Sequence, residues 1–201
     1  MPGDQEQTGT GAGPQVEPAS AFAGDADGFE RLWTPHRMAY VRGERKPADP
    51  HDAQQCPFCR AGNGPDEDGL VVHRGEHVLV VLNLYPYNPG HLLVCPNRHV
   101  SSYVDLDAAE LAEFSALTRA AVHTLRAASN PAGFNIGMNQ GAVAGAGIAA
   151  HLHQHVVPRW AGDANFLPVV ARTKALPELL EDTRRRLVEA WTDQHPAGAG
   201  G

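Results

Sequence analysis

His151-Leu152-His153-Gln154-His155-Val156-Val157-Pro158-Arg159-Trp160 sets an imidazole at every second position and then runs into two valines. That period belongs to a β-strand, whose alternate side chains share a face, so all three imidazoles are expected on one side. Neighbours in such a row lie roughly 6–7 Å apart, from a rise of about 3.3 Å per residue. Imidazole is the side chain whose ordinary pKa falls near neutrality, and it serves as base, acid, nucleophile or metal ligand. Three on one face predict a catalytic or metal surface. A purely structural metal site and a set of surface histidines are the competing readings.

Upstream of the row, Gly141-Ala-Val-Ala-Gly145-Ala-Gly147 is a loop poor in side chains. Backbone N–H groups in such a loop can approach a bound phosphate and form an anion-binding nest. Set before an imidazole row, it suggests phosphate held against a nucleophile. A second signal, Cys56-Pro-Phe-Cys59, has the spacing of a zinc knuckle. Two more ligands are needed, and the chain offers 11 histidines for them. His99 follows a strand end and a proline, and His151 begins the imidazole row. A redox role for the pair lacks its βαβ context. His36, His73, His77, His91 and His123 read as ordinary surface or edge residues with no role. Cys95, in the apolar run Leu92-Leu-Val-Cys95, is expected to be a buried core thiol.

Around these signals the pattern predicts strands at Leu70–Arg74, His77–Leu82, His91–Cys95 and Phe134–Asn139, with the histidine row as the fifth. Residues 44–69 read as loop-rich. Asp107-Ala-Ala-Glu110 is a capping-box start for a helix that ends at Asn130-Pro131. Pro177 opens a last helix bearing Leu180, Leu187 and Trp191. Strands mostly in succession with two main helices apart from them give an α+β fold with an antiparallel sheet of about five strands.

Residues 1–28 and 194–201 are rich in Gly and Ala with little apolar periodicity, and are expected to be disordered tails around a single domain at 29–193. The start has no basic segment followed by an apolar one, and nowhere do enough apolar residues follow one another to span a bilayer. A soluble cytoplasmic protein with no membrane partner is the expectation. A net charge of −7 argues against a general nucleic-acid binder.

His151-Leu-His153-Gln-His155-Val-Val resembles the His-x-His-x-His signature of the histidine triad superfamily. Gly90-His91-Leu-Leu-Val-Cys-Pro-Asn-Arg-His99 resembles that family's strand ending in histidine. Leu32-Trp33-Thr-Pro35-His-Arg37-Met38-Ala-Tyr40 and Pro158-Arg159-Trp160-Ala-Gly162-Asp163-Ala-Asn165-Phe166 look like segments of a bacterial branch that includes diadenosine tetraphosphate phosphorylases. The resemblance implies a HIT-like fold, with His153 as the nucleophile that takes up a nucleotidyl group and His155 as a hydrogen-bond donor to a phosphate or bridging oxygen. It implies a structural zinc on Cys56, Cys59, His99 and His151. It also implies nucleotide contacts from Asn83, Asn139, Gly145, His155 and Trp160, and a homodimer. Gly147 stands where relatives carry Ser, Thr or Gln as a phosphate ligand. The activity implied is cleavage of diadenosine tetraphosphate by inorganic phosphate, giving ATP and ADP. Use of water as acceptor, in a hydrolase, is the alternative; a zinc-stabilised nucleotide-binding protein with little turnover is another.

Overall fold

The computed structural model describes residues 49, 52–163 and 178–194. The expected tail at 1–28, the segment 31–40 with His36, Asn165, Phe166, Pro177 and the last seven residues lie outside these. Five strands, β1 (Val71–Arg74), β2 (Val78–Leu82), β3 (Leu92–Pro96), β4 (Gly133–Gly137) and β5 (Gln154–Arg159), form one antiparallel sheet in the order β1-β2-β3-β5-β4. Among the described residues three α-helices accompany it, α1 (Pro57–Asn63), α2 (Ala108–Ser129) and α3 (Leu180–Gln194), besides one 3-10 turn at Tyr103–Asp105. The α+β reading of the sequence holds. Among the described residues no helix is long and apolar enough to cross a membrane.

Every residue of β2 and β3 is buried, which explains why they read as unbroken apolar runs instead of alternating ones. Both faces of the sheet are covered. On one face, Val78, Val80, Leu92, Val94 and Val156 pack with Phe114, Ala121 and Leu125 of α2 and with Leu187 and Trp191 of α3. On the other, Leu79, Val81, Leu93 and Cys95 pack with Ala61 and Phe58 of α1. Cys95 is fully buried, as expected. Leu93 pairs with His155 in the β3–β5 ladder, so His155 belongs to the α1 face. Two large helices therefore back the sheet, and the histidines are left on the side where only a short helix sits.

The helix ends follow their sequence signals. Asp107 accepts from the Ala109 and Glu110 amides at 2.9 Å each, and Glu110 reaches back to the Asp107 amide at 2.9 Å. Asn130 closes α2 in the left-handed region (φ 42°), with Pro131 following. Between β1 and β2, the Glu113 carboxylate accepts the Glu76 and His77 amides at 2.9 and 2.5 Å. Gly75 makes room for it, because a Cβ there would collide with that carboxylate.

The buried Glu110 also accepts from Arg98 at 2.9 and 2.6 Å, and Arg98 donates to the Asp105 carbonyl at 2.7 Å. This ties the segment after β3, including His99, to the start of α2. Hydrogen bonding from Arg98 brings the Glu110 carboxyl down to about 2 from an ordinary 4.5. A folded-state value below the unfolded one gives stability that is complete above about pH 4.5 and is lost as pH falls towards 2. Glu110→Gln is expected to cost about 1–2 kcal/mol at neutral pH, since the half-exposed Arg98 screens part of the interaction. In urea titrations the gap between native and variant closes as the buffer is taken from pH 5 to about pH 2. A gap independent of pH would remove the charge from the account.

Candidate active site and metal centre

β5 begins at Gln154, after the first two members of the histidine row. Residues 151–153 lie ahead of the strand and take their hydrogen bonds elsewhere. The Leu152 amide donates to the Val100 carbonyl at 2.6 Å, and His153 Nδ1 lies 2.8 Å from the His151 carbonyl. Only His155 sits in the sheet ladder. The row still holds together: the rings of His153 and His155 are 5.1 Å apart, and Phe58 of α1 packs 5.3 Å from His151 and 5.0 Å from His153.

A carbonyl oxygen can only accept, so His153 Nδ1 carries the proton and its Nε2 holds the lone pair. Burial pushes the His153 imidazole below its ordinary pKa, which keeps the ring neutral. A neutral imidazole of fixed tautomer, with a second imidazole beside it, is equipped for nucleophilic attack.

His151 is turned the opposite way. Its Nε2 lies 2.9 Å from the Pro96 carbonyl and must be the protonated nitrogen, so Nδ1 offers its lone pair to the cysteines. That Nδ1 is 3.3 Å from Cys56 Sγ and 3.5 Å from Cys59 Sγ, while His99 Nδ1 is 3.2 Å from Cys59 Sγ. The four candidate ligand atoms lie within 4.8 Å of one another. A tetrahedron built on metal–ligand bonds of about 2.0–2.3 Å has edges of about 3.3–3.8 Å, so the donors fit a single ion. Burial and the neighbouring Cys56 push the Cys59 thiol up to about 12, and two thiolates here need a cation to offset their charge. The structure thus brings together the four residues Cys56, Cys59, His99 and His151, as a set able to hold a metal.

Cys56 caps the start of α1 and Cys59 lies within it, a helix that the loop-rich reading of residues 44–69 missed. Pro57 occupies the first turn, and seven residues are too few to display a helical period. Arg74 of β1 closes the helix's other end, donating to the Ala61, Gly62 and Gly64 carbonyls at 2.6–2.9 Å.

His91 corrects a second reading. It is no edge residue but fully buried, with Nε2 2.9 Å from His155 Nδ1. Its Nδ1 lies 3.0 Å from the Tyr87 amide and 3.2 Å from Asn83 Nδ2. The available signal was alternation: His91, Leu93 and Cys95 share a face, and antiparallel pairing of Leu93 with His155 sets His91 diagonally beside it. Without the register that signal was silent. Among the other histidines given no role, His73 stacks on Trp191 with ring centres 4.6 Å apart, whereas His123 is exposed.

Asn83 lies against His91, with its Oδ1 accepting from the Tyr85 amide. Asn139 follows β4 and is half-buried. Gly145 lies in the exposed loop at φ 86°, and its amide is spent on the Ala142 carbonyl. Gly147 is buried. Trp160 is engaged elsewhere: its indole N–H donates to the Ser129 carbonyl, at the end of α2.

The HIT domain model matches residues 65–162. The chain is 49% identical over 173 residues to the AP-4-A phosphorylase of Mycobacterium tuberculosis, covering 85% of this chain and 89% of that one. It is 37% identical to an uncharacterised HIT-like protein of Methanocaldococcus jannaschii, over 56% of this chain and 84% of the relative. Among solved structures, a zinc-bound histidine triad family protein from Mycobacterium smegmatis superposes with a TM-score of 0.57 at 27% identity, covering 71% of this chain and 96% of that one.

Proposed function

This chain belongs to the histidine triad (HIT) family, and on that premise we propose that it cleaves diadenosine tetraphosphate with inorganic phosphate to give ATP and ADP. The observation that carries the chemistry is the His153 Nδ1–H bond to the His151 carbonyl, which leaves Nε2 as the nucleophile. Nε2 attacks the α-phosphorus of one adenylate. The Nε2–P bond forms, the bridging P–O bond breaks, and ATP leaves with a proton from His155. A phosphate oxygen then attacks the same phosphorus, the N–P bond breaks, and AMP departs as ADP. Splitting one hard displacement into two easier ones is the gain. The near half identity to a named phosphorylase supports phosphate as the acceptor.

Asn83, Asn139, Gly145, Gly147, His155 and Trp160 are assigned to nucleotide binding, with backbone amides at Gly147 standing in for a side-chain donor. Zinc, one ion per chain on Cys56, Cys59, His99 and His151, would supply a rigid anchor and no reactive water, because the four protein ligands close its coordination. His151 joins the anchor to the nucleophile through its carbonyl. We assign the domain to residues 29–193 and the protein to the cytoplasm, where cysteines stay out of disulfides and available to a metal.

A homodimer formed along β4 accompanies this reading. β4 ends the sheet with Asn135, Ile136 and Gly137 exposed, whereas Arg184 of α3 covers the opposite edge by donating to the Val71 carbonyl at 2.7 Å. Light scattering is expected to show a dimer for the native chain and a monomer for Ile136→Lys.

The test of activity is purified protein with diadenosine tetraphosphate, with and without phosphate. ADP and ATP formed only with phosphate support the proposal. AMP and ATP formed without phosphate make the enzyme a hydrolase, and bound but uncleaved substrate makes it a nucleotide-binding protein.

A further inference from the structure

Between the two histidines assigned to the chemistry lies a residue that faces the other way. Gln154 opens β5 and is buried, and as the chain neighbour of His153 and His155 it sends its side chain to the opposite face of the sheet. That face is apolar. Val94, across the ladder from Gln154, and Val156, two residues on, pack with Phe114 and Leu125 of α2. Into this setting Gln154 carries an amide, whose Nε2–H donates to Thr118 Oγ1 at 2.9 Å. The Thr118 hydroxyl in turn donates to the Phe114 carbonyl one helical turn back, at 2.7 Å. A hydroxyl has one proton, so with that proton spent on Phe114 its lone pair receives the amide. The order of donation runs from Gln154 through Thr118 to the backbone of α2.

The place of this link decides what it can do. Within the sheet Gln154 pairs with Val94 of β3, while pairing with β4 begins only at His155, opposite Gly137. The strand is thus held from one side at its first residue, and strand ends of that kind open first. The bond to Thr118 holds this end from a further direction, on a helix whose own start is tied through Glu110 to Arg98. An imidazole tip stands about 5 Å from the strand axis, so a rotation of about 10° moves it about 1 Å, and misplacement by that much can cost about a hundredfold in rate. For stability alone the amide adds little, because replacing both partners of a buried hydrogen bond by apolar groups of the same shape is close to neutral. What a leucine at this position would not supply is a direction.

We propose that Gln154 is a positioning residue: bonded to Thr118 of α2, it fixes the rotation of the chain between His153 and His155, and so the aim of both imidazoles at one phosphorus and its leaving oxygen. This rests on the reading of His153 as the nucleophile and His155 as the proton donor. Gln154 itself touches no reacting atom, because its side chain lies on the far face of the sheet.

The test pairs Gln154→Leu with Thr118→Val, which removes both partners of the bond and keeps their bulk. The paired variant is expected to keep the native urea midpoint while kcat on diadenosine tetraphosphate falls about 10–100-fold and KM stays within about twofold. Thr118→Ser, which retains the hydroxyl, is expected to keep the native kcat, whereas Thr118→Val alone loses it. A paired variant with native kcat, or a serine variant as slow as the valine one, would show that the two residues only pack. A second readout needs no turnover. In nucleotide-free protein labelled at histidine, the ring signals of His153 and His155 are expected to shift in the paired variant, while that of His73, on the outermost strand β1, stays in place. Unmoved signals from the row overturn the proposal, and so do shifts that extend to His73, which would mean a general loss of packing. Should the paired variant not fold, Thr118→Val alone carries the same readouts. If the native protein leaves the dinucleotide intact, the function proposed above fails, and the ring signals still decide the role of Gln154.

Discussion

His153→Ala is expected to lower turnover of diadenosine tetraphosphate by at least about a thousandfold, as removal of a covalent nucleophile does elsewhere. The expectation follows from what no neighbour can replace. His151 points its lone pair at the cysteines and its proton at the Pro96 carbonyl, so neither nitrogen is available for attack. His155 has its Nδ1 engaged by His91. Of the three, His153 alone combines a neutral, buried ring with an Nε2 lone pair left for attack. Nucleotide affinity is expected to change by only a few-fold, because Asn83, the glycine loop and His155 remain. The check is a pairing of assays: steady-state turnover, and acid-quenched protein examined by mass spectrometry for an adenylyl adduct. The native chain is expected to show the adduct on the peptide holding residue 153 and the variant none. Residual activity above about a hundredth of native, or an adduct mapped to another residue, would sink the mechanism.

The capping box of α2, the apolar runs of β2 and β3, and the burial of Cys95 were all legible, because each is local: a few neighbouring side chains decide it. The histidine row was legible as a face but not as a strand. Its first two members lie before β5, since the His151 carbonyl is claimed by a side chain and the Leu152 amide by Val100. Neither partner has a signature in the period of the chain. α1 was hidden because seven residues starting with proline show no face. The third and fourth metal ligands could be narrowed to histidines, but their selection came from the family resemblance and not from spacing: His151 lies 95 residues from Cys56. His91 was misjudged for the same reason. Its partner is 64 residues away and is reached only through the register of β3 on β5. Contacts of that kind are set by tertiary packing, which overrides any local preference.

Cys56→Ser, or stripping zinc with a strong chelator, is expected to weaken the fold by about 3–5 kcal/mol without abolishing it. Small zinc domains unfold entirely when the metal is lost, because binding and folding are one event there. This chain differs in having a core on the α2–α3 face of the sheet that the metal does not touch: Leu125, Val80, Val94 and Val156 are each buried without any contribution from the cysteines. The loss should fall on what the ion alone fastens. α1 is far too short to hold its shape unaided, and its remaining anchors are Arg74 at its C-terminal carbonyls and Phe58 against the histidine rings. Released, it lets His151 swing, and with it the carbonyl that fixes the His153 tautomer. Hydrogen exchange is therefore expected to accelerate in residues 56–63 and 99–103 and at 151–153, while α2 and β2 keep their protection. Elemental analysis is expected to give about one zinc per native chain and none in the variant. Uniform acceleration across α2 and β2 would mean that the metal holds up the whole domain. No acceleration anywhere would mean that these four residues hold no ion, and the Cys-x-x-Cys pair would need another explanation.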